Sequence, residues 1–63
     1  MEELIKQLKE HLHEESNDVE AYRKLAAHAY EHDREDISQI LNDISDEEEL
    51  HHRYIEEILE ELE

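Results

Sequence analysis

Two heptad rows of apolar residues run the length of this 63-residue chain. The first reads Ile5, Leu8, Leu12, Glu15, Val19, Tyr22, Ala26, Ala29, and the second Ile37, Leu41, Ile44, Glu48, His51, Ile55, Ile58, Leu62. Steps of three and four residues keep each row on one side of a helix, so the pattern commits the chain to two long helices. Glu15, Glu48 and His51 stand where Leu or Ile is expected. A carboxylate carried into an apolar interior is costly unless something neutralises it. These three positions are therefore the informative ones.

The periodicity predicts one helix over residues 2–31, a turn at about 32–33 and a second helix over 34–62, all in a single domain. Ser16 to Asp18 are poor helix formers, yet the register passes through them unshifted from Leu12 to Val19. Asp33 reads as the N-cap of the second helix, with Glu35 and Asp36 in the first turn where the helix dipole favours them. So short a connection makes the helices antiparallel neighbours. A hairpin this small cannot wrap its own apolar faces. With no Cys, disulfides and thiolate zinc sites are excluded. Oligomerisation or metal is what remains. The fold expected is all-α, an antiparallel two-helix hairpin that dimerises into a four-helix bundle. Gly and Pro are both absent, which all-helical structure explains in large part and a designed origin explains equally well.

A formal net charge of −15 argues against nucleic acid and against anionic membrane surfaces, and it favours cations as ligands. No apolar run approaches membrane-spanning length and nothing reads as a signal peptide, so a cytoplasmic location is the default expectation. Nucleophile constellations and phosphate-binding glycine loops are missing as well. Most of the acidic residues read as a solvated outer face.

Register arithmetic ties the three polar positions together. If Glu15 lies level with the middle of Glu48 and His51, at about residue 49.5, the turn falls near residue 32. The cap signal places it there independently. Glu48 and His51 are spaced Glu-x-x-His, the pattern of carboxylate-bridged metal bundles. An overlapping pair, Glu49 and His52, has the same spacing, but the apolar row passes through His51, which favours the first frame. All three residues fall near the helix centres. A two-fold axis through the bundle would then bring four carboxylates and two imidazoles to one level, a set suited to two bridged ions. Oxygen ligands with a minority of imidazole favour iron or manganese, with zinc and cobalt able to substitute. His11, one turn from Glu15, and Glu14 are weaker candidates for ligands on the path into the site. His28 and His32 read as a solvated pair, and Tyr30 and Tyr54 as cover for the edges of the core.

The stretch Glu15-x-x-Asp18-Val19-x-x-Tyr22 resembles the first-helix motif of the ferritin-like superfamily, and Ile44-x-x-x-Glu48-x-x-His51-x-x-Tyr54-Ile55 resembles its Glu-x-x-His helix. The chain is similar to half-size, two-helix members such as the encapsulated ferritins; full-length ferritins and rubrerythrins carry these motifs in four helices. The resemblance implies Glu15, Glu48 and His51 as metal ligands contributed by both chains of a homodimer, and Tyr22 packing beside them. It also implies a di-iron site, with two irons per dimer, that oxidises ferrous ion with oxygen or peroxide. Higher oligomers fit the resemblance too. A lone four-helix bundle has no cavity for a mineral core, so storage is not expected. The alternative expectation is a structural or designed helical assembly whose central Glu/His layer sets pairing, with weak or no metal chemistry.

Overall fold

The computed structural model describes residues Met1–Glu63. Helix α1 spans Glu2–Glu31 and helix α2 spans Glu35–Leu62, packed side by side with no strands. Neither helix breaks at Ser16–Asp18 or at Ser45–Asp46, because the apolar stripe on each is continuous through those polar residues. Lys9 meets Glu63 at 2.7 Å and Arg23 meets Glu49 at 3.1 Å, which fixes the helices as antiparallel.

The first predicted row is buried or half-buried throughout, whereas on α2 a seven-residue column describes the packing better than the second row does. The column Ile5, Leu12, Val19, Ala26 on α1 and the column Ser38, Ser45, His52, Leu59 on α2 are buried or half-buried along their whole length. The Ser45 hydroxyl donates to the Val19 carbonyl at 3.2 Å, so these columns face each other across the seam. Small residues at Ala26, Ser38 and Ser45 let the two backbones approach closely, since the separation of packed helices follows the side chains at the contact. On one edge of the seam, Lys9 and Arg23 face Glu49 and Glu63, all at multiples of seven residues. Ser16 and Val19 line a shallow recess there with Glu49 and His52. Exposed ion pairs of this kind contribute only about 0–1 kcal/mol each. Their role is alignment.

The second predicted row is therefore corrected. Leu41, Glu48, Ile55 and Leu62 are half-buried beside the seam, but Ile37, His51 and Ile58 are exposed. That row marks the middle of a broad apolar stripe, whereas one neighbouring helix covers only one flank of it. The uncovered flank holds Leu4, His11, Asp18 and Leu25 on α1 and Ile37, His51 and Ile58 on α2, with half-buried Ile44 in the same column. Leu4, Leu25, Ile37 and Ile58 keep between 37% and 51% of their surface in water. Tyr30 and Tyr54 are also exposed, so they do not cover the core as expected.

The turn corrects the cap. Asp33 is not the N-cap of α2; it adopts φ 59°, and Arg34 precedes the helix with no side-chain cap. The Arg34 N–H donates to the Ala29 carbonyl at 2.9 Å and the Asp33 N–H to the Tyr30 carbonyl at 3.0 Å. These are the two bonds of a Schellman motif ending α1, and its left-handed position falls on Asp33. Glycine usually serves there. In a chain without glycine, Asp is among the residues that enter this region most readily. The start of α2 is secured instead by Arg34, whose guanidinium donates to both Asp36 carboxylate oxygens at 3.2 and 3.3 Å. That contact, helped by the Ile37 N–H, holds the Asp36 carboxyl below its ordinary pKa. Thermal melting tests the left-handed position: Asp33→Val is expected to lose about 1–2 kcal/mol, while Asp33→Gly stays at least as stable as the parent. Equal melting of the two variants would remove the backbone explanation.

Candidate metal centre

Glu15 sits at the midpoint of α1, in the central column with Leu8, Tyr22 and Ala29. The heptad register carries it inward, and only 8% of its surface remains exposed. One carboxylate oxygen, Oε1, lies 3.1 Å from the Nε2 of His11. The other, Oε2, is buried and has no hydrogen-bond partner. Leaving a buried polar atom unmatched costs roughly 1–3 kcal/mol, and more when it is charged. The fold retains it nonetheless.

Glu48 and His51 approach from α2. They stand three positions apart on the helix, so both side chains project from the same turn toward Glu15. One ligand atom from each of Glu15, Glu48 and His51 lies within 4.8 Å of the other two. Burial falls across the group, with Glu15 buried, Glu48 half-buried and His51 exposed. The donor set fits a cation. Bonds of about 2.0–2.2 Å would place ligand atoms around one ion about 3–3.5 Å apart, closer together than the 4.8 Å within which these three lie. Glu15, Glu48 and His51 would hold such an ion through two carboxylates and an imidazole, with His51 on the uncovered flank. His51 is thus not the core residue the row predicts; its exposure follows from its place on that flank.

The structure separates the remaining candidates. His52 is more buried than His51, but it points into the seam column and pairs with Glu56 at 2.6 Å, away from Glu15. Glu49 is taken by Arg23. Glu14 is exposed and stands outside the group, and Tyr22 is half-buried one turn-pair along the central column. His28 lies 4.0 Å from Glu31 with both side chains in water, and His32 is exposed at the end of α1. His11 alone among the secondary candidates touches a member of the group. Sequence spacing placed it one turn from Glu15 but gave no reason to prefer this contact over solvent.

No protein-family model, curated protein or solved structure matches the chain significantly.

The buried Glu15 oxygen has no partner within the chain, and this gives a direct test. Glu15→Leu restores the apolar column, so in the presence of a chelator it is expected to melt higher than the parent, by about 1–3 kcal/mol at the midpoint. The same variant should lose binding of added cobalt(II). A lower melting temperature for the chelated variant would mean that Oε2 is not a source of strain.

Proposed function

We propose that this protein is a metal-binding, ferritin-like protein whose Glu15, Glu48 and His51 form half of a dinuclear carboxylate site, completed by a second copy of the chain. The observation that carries the reading is the convergence of these three side chains beside a buried carboxylate oxygen that has no partner. A cation supplies that partner. The strong negative charge of the chain favours its approach.

The uncovered flank supports the pairing. It is apolar toward both ends, at Leu4 and Leu25 on α1 and at Ile37, Ile44 and Ile58 on α2, and polar at the level of the site, at His11, Asp18 and His51. A copy related by a two-fold axis at that level matches apolar ends with apolar ends and brings four carboxylates and two imidazoles together. A four-helix bundle of this kind offers the cover that a lone hairpin lacks. The likeness of the Glu15–Tyr22 and Glu48–Tyr54 stretches to ferritin-like motifs adds to the reading.

Oxygen and imidazole donors favour iron or manganese, and the likeness to ferritin-like motifs selects iron for this proposal. Ferrous ion is then the substrate: two ferrous ions each give one electron to dioxygen, which takes up two protons and leaves as hydrogen peroxide, or the pair reduces a peroxide to water. In this reaction Glu15 and Glu48 hold positive charge in a partly dry interior, and His51 contributes a neutral nitrogen donor on the flank side. Tyr22 packs along the same column.

Anaerobic titration with ferrous ion or cobalt(II), followed by absorbance, thermal melting and light scattering, tests the proposal. Expected are two metals per particle of twice the chain's 7.7 kDa mass, a raised melting temperature, and loss of binding in Glu15→Ala. Ferrous-loaded protein should consume oxygen faster than the same iron in buffer. Saturation below one metal per chain, or a melting temperature indifferent to metal, would instead favour a polar layer that only sets pairing.

A further inference from the structure

We propose that His11 is a positioning residue for this site, holding Oε1 of Glu15 so that Oε2 is left as the atom presented to the metal; the inference rests on the metal reading above. The geometry is specific. His11 lies one helical turn before Glu15, on the same side of α1, with Nε2 3.1 Å from Oε1. Its ring is more than half exposed while the carboxylate it touches is nine-tenths buried. A glutamate side chain left alone samples several rotamers. Tying one oxygen from the flank side removes that freedom before a cation arrives, and it divides the labour of the two oxygens. Partners of this type around ligating carboxylates commonly change metal affinity about 10–100-fold when removed.

The column pattern supports a purpose for His11. Its seven-residue column reads Leu4, His11, Asp18, Leu25, so the register places it on the uncovered apolar flank where its neighbours at either end are leucines. An imidazole here forgoes apolar area on the very face that the proposed dimer covers. The return for that loss is its contact with Glu15, the only side-chain hydrogen bond that Glu15 makes.

Cobalt(II) titration of the full chain and two variants tests the role. His11→Ala is expected to bind cobalt about 10-fold more weakly than the parent while keeping the same visible absorption bands at saturation, because the ligand set is unchanged. His11→Gln, whose side-chain N–H reaches a carboxylate one turn away, should restore most of the affinity. Helix content by circular dichroism should be the same in all three, since the His11 ring is mostly in water. Equal affinity of His11→Ala and the parent would overturn the inference. So would failure of His11→Gln to rescue, or a changed absorption spectrum in His11→Ala, which would make His11 a ligand. If the parent itself binds no cobalt, the metal reading fails and this inference with it; the other results overturn the role of His11 alone.

Discussion

Two antiparallel helices touch along one line, and the small amount of surface that line can bury governs the rest of this protein. Only Val19, Ala26 and Leu59 among the apolar residues are buried, with Ser38, Ser45 and Glu15 beside them. A core of that size contributes little at about 25 cal/mol per Å². The chain responds in two ways. It narrows the seam with small residues so that the backbones approach closely, and it leaves a second apolar flank that a partner must cover if the stripe is to be dry.

The same geometry explains why polar chemistry collects at the middle. In the proposed dimer, a two-fold axis perpendicular to the helices at mid-length brings the central positions of both copies to one level. Glu15, Glu48 and His51 lie there, as do His11 and Asp18 on the flank. Apolar residues placed toward the ends support the bundle without entering the site. In the proposed dimer the division is clean: ends for stability, centre for function. Glu15 is where the two demands conflict, because its buried oxygen has no hydrogen-bond partner within the chain.

Much of the fold is legible in the sequence because helical periodicity is a local property. Alternating steps of three and four residues specify long helices, and the absence of glycine and proline leaves nothing to interrupt them. The hairpin and the convergence of Glu15 with Glu48 and His51 follow from register once the turn is placed. Two details escaped that logic. The left-handed turn falls on Asp33, a residue whose side chain also suits an N-cap, and the two roles cannot be told apart without backbone angles. Ser38 and Ser45 line the seam, although hydrophobicity would never select them. Their signal is small size at a seven-residue spacing, which matters only when another helix is close.

The sequence by itself determined which residues share a face, and hence that two carboxylates and an imidazole would meet at mid-helix. Spacing on a helix is fixed by 3.6 residues per turn, whatever lies outside it. The tertiary structure decided which flank of each stripe faces inward. It turned Ser45 and His52 toward α1, left His51 on the open side, and gave Glu15 one bonded oxygen and one free one. Those choices depend on how near a second helix comes and at what rotation, and no pattern within one helix contains that distance.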